Sequence, residues 1–395
     1  MVTPIASRPL RVACFAHLAE VSGATVSVLD IARGLDPARF RCQLVMPGRP
    51  GDPPGASPLA RRTALAGVPY VVVANPVAPL SAGVAVARLR AVKAMMALLR
   101  DGAFDLAYVS STASVLPGLA AWRAGVPVVW HVHETLPEHP GALTRAKMAL
   151  IRRLSRGLVD CSMSARASFP APAAMPRLLQ RNWVDVAALS GAKEEPGAAT
   201  RAAVEANLGL VPADRLILAN GVIPRKGPDT LLDAFAALPA EAAGGGAAKL
   251  AITGGVGPGD EAWLAALADR VSRPPLAGRA TLTGPREDLP ALMAHADVFV
   301  SAGRNEGLPI ALIEAMAAGV PVVATDVGDC ALLLDGGHLG TLVPPDDAPS
   351  LGRALAEILA DPAAARHRAA AARARVSTDY APAGFWKELE DFLAG

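Results

Sequence analysis

Two glutamates eight residues apart, Glu306 and Glu314, stand in the segment whose residue types are best suited to ligand chemistry, NEGLPIALIEAMAAGVPVV. Pro309 suits the first turn of a helix, because the N–H that proline lacks would be unpaired there. Gly319, followed closely by Pro321, supplies a stop signal. The pattern predicts a helix that starts near residue 309, with Glu306 in the loop before it and Glu314 about a turn and a half inside it.

The start of this predicted helix is a candidate anion site. Its first-turn N–H groups point back towards Glu306 and carry the positive end of the helix dipole, which favours a diphosphate. Pro309 lacks one donor, so the N–H groups of Ile310 and Ala311 are expected to contact the anion. The two carboxylates can accept hydrogen bonds from hydroxyls of an elongated ligand. This composition is typical of a nucleotide-sugar site and favours sugar transfer.

Each glutamate has a plainer interpretation when it is taken alone. Glu314 would more often be a solvated charge on a helix face, but Leu312, Ile313 and Met316 predict a largely buried helix, where an unpaired carboxylate is unfavourable. Glu306 would act as a favourable charge near a helix N-terminus. The combination of Glu306 with Gly307 and Glu314 favours a functional site.

The spacing Glu-x7-Glu resembles retaining glycosyltransferase family 4. Further points of similarity are spread over nearly the whole chain: Ser22-Gly23-Ala24-Thr25, Trp130-His131-Val132-His133-Glu134, Asn182-Trp183-Val184-Asp185 and Pro224-Arg225-Lys226-Gly227. The resemblance implies an α/β fold of the GT-B type, in which two Rossmann-like domains face each other across a cleft.

The resemblance also implies roles for particular residues. In the family, one Glu contacts the hydroxyls of the donor sugar, a second Glu holds the ribose, a basic pair binds the diphosphate, and a His of the first domain approaches the donor sugar. By position, the catalytic set would be His133, Glu306 and Lys226. The donor-binding set would be Gly23, Arg225, Lys226, Gly307, Leu308, Ile310, Ala311 and Glu314.

One departure from the family pattern concerns the diphosphate clamp. Family members often have an Arg five or six residues before the Lys, where this chain has Gly221 and Asn220. The clamp is therefore expected to be thinner. Arg225 either compensates or points away, since neighbours on a loop commonly point apart. Lys226 has the alternative of being an exposed loop charge, but its place between a strand and a helix favours phosphate contact.

Three residues of the first half carry open alternatives. His131 and His133 alternate on a strand end and are expected to face opposite sides, one being structural, although a His-x-His pair can also chelate a metal. Gly23 marks either a tight turn or a close approach of the backbone to a ligand.

The chain has no Asp-x-Asp pair, so a metal-independent reaction is expected, with the nucleotide diphosphate sugar as co-substrate and no cofactor.

The domain organisation follows from length and pattern. A chain of 395 residues exceeds the size at which one core stops growing. Short apolar runs alternate with helical patterns, which predicts parallel sheets built from βαβ units. The expected divisions are an acceptor-side domain at 1–190, a nucleotide-sugar domain at 191–378 and a final helix at 379–395 that packs back on the first domain, with a linker at Ser190–Gly197.

Composition restricts partners and location. A net charge of +2 gives no reason to expect a nucleic-acid partner. The four cysteines have no metal-ligand spacing, which fits a reducing compartment. The first residues lack the apolar run of a signal peptide, and no stretch has the length of a membrane span. We expect a cytoplasmic protein, peripheral on the inner face of the cell membrane if it binds lipid.

Residues 143–156 are the segment that could bind a membrane surface. Arg145, Lys147, Arg152, Arg153 and Arg156 occur there without an acid among them, interleaved with apolar residues in a way that suits a helix on a membrane surface. The alternative is an ordinary solvated helix with one buried stripe. Membrane contact would bring lipid-linked acceptors within reach.

The function expected from the sequence is transfer of a hexose from a nucleotide diphosphate sugar, with retention, to a hydroxyl of a glycan or lipid-linked glycan in polysaccharide or glycolipid assembly. A catalytically silent sugar-nucleotide-binding subunit is one alternative, motivated by Gly221. A sugar-nucleotide epimerase of similar fold is another. A dinucleotide oxidoreductase is disfavoured, because the first strand is followed by a single Gly23 instead of a G-x-G-x-x-G motif. The base, the sugar and the acceptor are not encoded in a readable motif.

Overall fold

The structure, a computed structural model, describes residues 8–48, 53, 55–74, 82–113, 115–186, 189, 201–242, 245–257, 259–382 and 385–395. The chain divides into two compact units. Unit 1 comprises residues 1–181 and 383–395, and unit 2 comprises residues 182–382. The predicted linker, Ser190–Gly197, lies outside the described residues.

Unit 1 is built around a parallel sheet of seven strands in the order β3-β2-β1-β4-β5-β6-β7. The strands are β1 (Leu10–Phe15), β2 (Phe40–Gly48), β3 (Tyr70–Ala74), β4 (Leu106–Ser110), β5 (Val128–Val132), β6 (Gly157–Asp160) and β7 (Arg177–Leu179). Strands β4, β5 and β6 are buried along their whole length, as expected for parallel strands with helices on both faces.

The helices of unit 1 connect successive strands. They are α1 (Gly23–Gly34), α2 (Pro58–Leu65), α3 (Ala82–Asp101), α4 (Leu116–Ala124), α5 (Ala142–Leu154) and α6 (Met163–Ser168). Helix α1 begins with a capping box in which Ser22 and Thr25 satisfy each other's backbone N–H groups. Helix α4 ends at Gly125, whose left-handed conformation suits a residue without a Cβ.

Unit 2 contains a second parallel sheet, in the order β11-β10-β8-β12-β13-β14, with β9 paired antiparallel to β10. The strands are β8 (Arg215–Asn220), β9 (Glu241–Ala242), β10 (Gly246–Thr253), β11 (Ala280–Gly284), β12 (Val298–Ser301), β13 (Val322–Thr325) and β14 (Thr341–Val343). The order changes direction between β8 and β12, and ligands of such sheets bind where loops follow the strands on either side of that point.

The helices of unit 2 cover both faces of its sheet. They are α7 (Arg201–Leu208), α8 (Pro228–Ala236), α9 (Glu261–Val271), α10 (Leu289–His295), α11 (Ile310–Ala317), α12 (Cys330–Leu333), α13 (Ala348–Ala360) and α14 (Pro362–Asp379). Short 3-10 turns occur at Pro224–Lys226 and Asp335–Gly337. Two apolar cores result, one on each face of the sheet.

The last helix, α15 (Phe385–Ala394), belongs to unit 1. Arg39 binds Glu390 and Asp391 at 2.8 and 2.9 Å, and Arg156 donates to the carbonyl of Leu393 at 2.9 Å. This last bond satisfies a carbonyl in the final turn of the helix, where backbone acceptors lack partners. The C-terminal segment is thus fastened to unit 1 by charged and capping contacts.

Candidate active site

Glu306 lies in the loop that joins β12 to α11, at the carboxyl end of the unit 2 sheet. Its side chain is buried, with 6% of its surface exposed. Two glycines make room for the loop: a Cβ on Gly303 would lie 2.8 Å from Glu306 Oε1, and a Cβ on Gly328 would lie 2.1 Å from the Glu306 carbonyl oxygen. Gly328 also has a φ of +57°, which other residues adopt at a cost.

Two cations approach the Glu306 carboxylate. Lys226 Nζ is 2.6 Å from Oε1, and Arg225 Nη1 is 3.6 Å from Oε2. Both cations come from the 3-10 turn after β8, on the neighbouring strand of the sheet. A buried carboxylate is costly unless it is paired, and these cations supply the compensation. Because Arg225 keeps 57% of its side-chain surface exposed, it is also accessible to a ligand.

Gly221 explains the missing Arg of the family pattern. Its φ is +121°, and a Cβ there would lie 2.6 Å from Cγ and 3.1 Å from Cβ of Lys226. A residue with a side chain would be strained in that backbone conformation and would displace Lys226. Arg225 lies 3.6 Å from Glu306 Oε2, from the position adjacent to Lys226. Its part in binding a diphosphate stays a prediction.

Helix α11 presents its N-terminus beside this cluster. Pro309 is the residue that caps the helix instead of its first member, a shift of one residue from the sequence-based expectation. The N–H groups of Leu312 and Ile313 donate to the Pro309 carbonyl. For Ile310 and Ala311 no backbone acceptor is found in the part of the chain that the structure describes, so both amides are available to an anion.

The remaining unit 2 candidates differ in what they can offer a ligand. Glu314 is on α11 and is partly exposed, although Leu312, Ile313 and Met316 around it are buried as expected. The Gly307 carbonyl accepts the Asp329 N–H at 2.8 Å. Leu308 is buried in the apolar core, and its carbonyl accepts from the Asn182 side chain at 2.7 Å. The Leu308 side chain is therefore occupied by packing.

Arg304 is a residue of the same loop that sequence reasoning missed. Its guanidinium binds both carboxylate oxygens of Asp229, at 2.9 and 2.8 Å, and Asp346 at 2.6 Å. Asp229 stands in the first turn of α8, where a negative charge is favourable. The nearness of Arg304 to Glu306 in the sequence was the available signal, but its partners lie far away along the chain.

In unit 1 the expected arrangement of His131 and His133 was wrong. Their ring centroids are 3.8 Å apart, so the rings contact each other instead of facing opposite sides. The physical reason is that side chains in a strand alternate with a period of two, which puts residues i and i+2 on the same face. His131 is fully buried and its Nδ1 lies 2.8 Å from the Tyr108 hydroxyl, which makes it the structural member of the pair.

His133 follows the end of β5 and is held in its neutral form. Burial lowers its pKa to about 4, against an opposing contribution from Glu134. Its Nε2 is buried without a hydrogen-bond partner among the described residues. A neutral imidazole with an unused nitrogen can donate to or accept from a hydroxyl group, which suits contact with a sugar.

Two neighbours of His133 were also missed by sequence reasoning. Burial lowers the pKa of His17, which follows β1. Glu134 accepts from the Ser111 hydroxyl and from the Thr112 N–H and hydroxyl, the last two at 2.9 and 3.0 Å. Burial alone would raise the pKa of Glu134, but these bonds lower it below its ordinary value. The WHVHE motif thus contributes a fixed carboxylate as well as a neutral imidazole.

Gly23 is the first residue of α1, directly after the cap Ser22, and it is exposed. A position at the N-terminus of a helix accounts for it without a left-handed turn. The loop after β1 and the loop that carries His133 both leave the carboxyl edge of the unit 1 sheet. Close approach of a ligand to Gly23 remains a prediction.

The basic segment 143–156 is only partly available to a membrane. Helix α5 buries one stripe, Met148, Ile151 and Leu154, and Arg156 lies outside the helix and caps α15. Arg152 donates to the Pro170 carbonyl at 2.8 Å. Leu143, in contrast, has 85% of its surface exposed.

Two features are absent from the residues that the structure describes. No group of three or more His, Cys, Asp or Glu side chains is arranged to hold a metal ion in the described ranges. None of the helices that the structure describes has the length and apolar character needed to cross a membrane.

Comparison with known proteins identifies the family and the fold. The family Glycosyl transferases group 1 matches residues 214–361, and Glycosyltransferase Family 4 matches residues 21–185. The chain belongs to the glycosyltransferase family 4-like proteins and has the GT-B fold.

Two curated mannosyltransferases are similar in sequence to parts of this chain. The lipopolysaccharide core biosynthesis mannosyltransferase LpsB of Rhizobium meliloti is 37% identical over 172 residues, 42% of this chain and 46% of that protein. A GDP-mannose-dependent alpha-(1-6)-phosphatidylinositol monomannoside mannosyltransferase of Mycobacterium tuberculosis is 32% identical over 209 residues, 51% of this chain and 52% of that protein. The chain thus spans about half the length of the curated relatives it matches.

Among solved structures, Anabaena Alr3699/HepE in complex with UDP-glucose has a TM-score of 0.80 at 22% identity, and the match covers 98% of this chain and 99% of that one. At this level of identity the likeness concerns the fold. It confirms the predicted class of two Rossmann-like domains.

Proposed function

We propose that the protein transfers a hexose, with retention at the anomeric carbon, from a nucleotide diphosphate sugar to a hydroxyl of a glycan or lipid-linked glycan. The observation that carries the proposal is the pairing of Lys226 with the buried Glu306, 2.6 Å apart, beside the N-terminus of α11. A carboxylate for sugar hydroxyls and cations for a diphosphate occur together in one loop cluster. A nucleotide sugar requires both: hydrogen-bond acceptors for its sugar hydroxyls and positive charge for its diphosphate.

The proposed chemistry is mainly positioning and charge stabilisation. Lys226, Arg225 and the amides of Ile310 and Ala311 bind the diphosphate and stabilise the charge that develops as it leaves. One such preorganised donor typically contributes about 2.7–4 kcal/mol to the transition state. The bond from the anomeric carbon to the diphosphate oxygen breaks, a bond to the acceptor oxygen forms on the same face, and the hydroxyl proton passes to the departing phosphate.

The carboxylates and the imidazole have separate proposed tasks. Glu306 accepts hydrogen bonds from the donor sugar, and Glu314 accepts from the ribose. His133 contacts the donor sugar as a neutral imidazole, in keeping with its low pKa. Lys226 pairs with Glu306, and we infer that the diphosphate competes for this ammonium when the donor binds. The reaction is proposed to need no metal, because the cations of this loop supply the charge.

For the donor, the relatives suggest two probes. The Mycobacterium relative is GDP-mannose-dependent by name, and the Anabaena protein was crystallised with UDP-glucose. A thermal-shift comparison of UDP, GDP, UDP-glucose and GDP-mannose tests binding first, since a ligand at about a hundred times its Kd stabilises a protein by about 2.7 kcal/mol. Release of UDP or GDP with transfer to an acceptor then tests catalysis.

A binding-only protein, the alternative raised by Gly221, gives a different result in the same experiment. It would bind one of the nucleotides and would neither transfer nor hydrolyse the sugar. Arg225 beside Glu306 supports the catalytic proposal over this one, because the cation lost at Gly221 has a substitute.

We further propose that the acceptor is reached at an anionic membrane surface through unit 1. Helices α3, α4 and α5 pack side by side, and their sequences contain one acid, Asp101, against many Arg and Lys. Large apolar side chains are exposed on all three, namely Leu89 at 64%, Trp122 at 51% and Leu143 at 85%. Basic residues near an anionic surface contribute about 1 kcal/mol each, and exposed apolar side chains add burial in the headgroup region.

A further inference from the structure

We propose that Arg304 is a positioning residue, which holds the Arg225–Lys226 turn in register with Glu306 so that Lys226 meets the diphosphate. The inference rests on the proposed function of that site. The Arg304 side chain binds Asp229, Thr230 and Asp346 and is not proposed to touch the donor.

The main chain and the side chain of Arg304 both donate hydrogen bonds to the turn that carries Arg225 and Lys226. The Arg304 N–H donates to the Arg225 carbonyl at 2.8 Å. Its Nη1 donates to the Pro224 carbonyl at 2.5 Å. The two peptides on either side of Arg225 are therefore both held by one residue, which lies two positions before Glu306.

The same guanidinium fastens the helix that follows the turn. Nη1 and Nη2 bind the two carboxylate oxygens of Asp229 at 2.9 and 2.8 Å, and Nη2 also binds the Thr230 hydroxyl at 3.1 Å. The bond to Asp229 raises the pKa of Arg304. Burial would raise the pKa of Asp229, but the bonds to Arg304 outweigh it and lower that pKa. The pair is charged and bidentate, the geometry that gives directional hold.

Gly227 adds an independent sign that the two loops are fitted closely. Its φ is +62°, and a Cβ there would lie 2.1 Å from the Ala302 carbonyl oxygen. The Lys226 turn therefore passes directly against the start of the Glu306 loop. Without the Arg304 side chain the turn would keep this packing and the main-chain bond to the Arg225 carbonyl, but it would lose the bond to the Pro224 carbonyl and the anchor at α8.

Displacement of a catalytic cation by about 1 Å can lower a rate about 10²-fold. We expect Arg304→Ala to lower kcat about 10- to 100-fold and to weaken UDP or GDP binding about 3- to 10-fold. Arg304→Lys should not recover more than about 3-fold, because an ammonium cannot reproduce the planar fork that holds both Asp229 oxygens.

The test is a double-mutant cycle of Arg304→Ala with Lys226→Ala, measured as kcat with UDP-glucose or GDP-mannose and as UDP and GDP affinity by calorimetry. If Arg304 acts through Lys226, Arg304→Ala should change either quantity less than about 2-fold in the Lys226→Ala background. The matched control is Arg270→Ala, which removes a comparable surface pair with Asp233 at 2.5 Å and should stay within about 2-fold of the native protein.

Two results would overturn the inference: native kcat and affinity in Arg304→Ala, or equal losses from Arg304→Ala with and without Lys226, which would mark a general structural role. Urea unfolding of each variant shows whether it is folded at the assay temperature. If Arg304→Ala is unfolded there, Arg304→Lys takes its place in the cycle. Failure of the proposed function looks different, because Lys226→Ala alone would then match the native protein in both measurements.

Discussion

Gly221→Ala adds one methyl group that should both strain the backbone and displace Lys226. A matched glycine elsewhere in unit 2 allows the two effects to be measured separately. Gly221→Ala places a Cβ 2.6 Å from Cγ of Lys226 at a φ of +121°. The contacted atoms are at the near end of the lysine side chain, so relief requires rotation about the Cα–Cβ bond of Lys226 or movement of its backbone. Either change carries Nζ away from Glu306.

The size of the effect has two parts. A left-handed conformation costs a residue with a Cβ about 1–2 kcal/mol, and overpacking adds about 1–3 kcal/mol. Gly337→Ala isolates the first part, because Gly337 has a similar φ of +104° and a Cβ there has no atom within 4 Å. The difference between the two variants therefore measures the contact with Lys226.

The assay is urea unfolding of both variants together with their turnover of the donor that the native protein uses. We expect Gly337→Ala to lose stability and keep near-native turnover, and Gly221→Ala to lose more stability and at least about 10-fold in turnover. Gly221→Arg should fail in the same way, in spite of the cation it adds. Equal turnover in Gly221→Ala and Gly337→Ala would refute the reasoning.

Three further predictions concern other parts of the protein. Glu314→Ala should weaken nucleotide binding more than Glu314→Asp, since a hydrogen bond to a charged group contributes about 1.5–3 kcal/mol; calorimetry that shows unchanged affinity in a folded Ala variant would remove Glu314 from the site. The pKa of His133 is about 4 in the fold against about 6.5 unfolded, so the unfolded chain binds more protons between these values. The free energy of unfolding should therefore fall as pH drops from 7 to 5, by up to about 2 kcal/mol from this residue, and His133→Asn should flatten that slope in urea unfolding. Sedimentation with anionic liposomes should decline as salt shortens the screening length to about 8 Å and should weaken in Leu143→Glu but not in Leu332→Glu, a substitution at a 46% exposed leucine of unit 2; binding that ignores salt or Leu143 would favour an ordinary solvated helix.

The sequence was sufficient where a local pattern dictates the structure. Apolar runs that alternate with helical patterns predicted the parallel sheets, and Pro309 with Gly319 predicted the extent of α11. Placement of Lys226 and Glu306 after strands implied that both lie at a carboxyl edge of the sheet.

What the sequence did not reveal depends on distant contacts. Arg304 binds Asp229 and Asp346, which are 75 and 42 residues away, and no spacing rule connects them. The φ of Gly221 is a property of the folded turn. The sequence alone therefore shows only that the family Arg is missing, and it does not show the close approach of Gly221 to Lys226. The pairing of His131 and His133 was recoverable, since the alternation of a strand puts both on one face.

The most direct test of the central claim is the turnover of Lys226→Ala. Release of UDP from UDP-glucose and of GDP from GDP-mannose is followed for the native protein, for Lys226→Ala and for Lys249→Ala, a control whose ammonium binds the Gly278 carbonyl at 2.8 Å on an exposed part of the same unit. The proposed site predicts a loss of about 10²–10³-fold in Lys226→Ala and near-native turnover in Lys249→Ala. Near-native turnover in Lys226→Ala would contradict the assignment of Lys226 to the departing diphosphate.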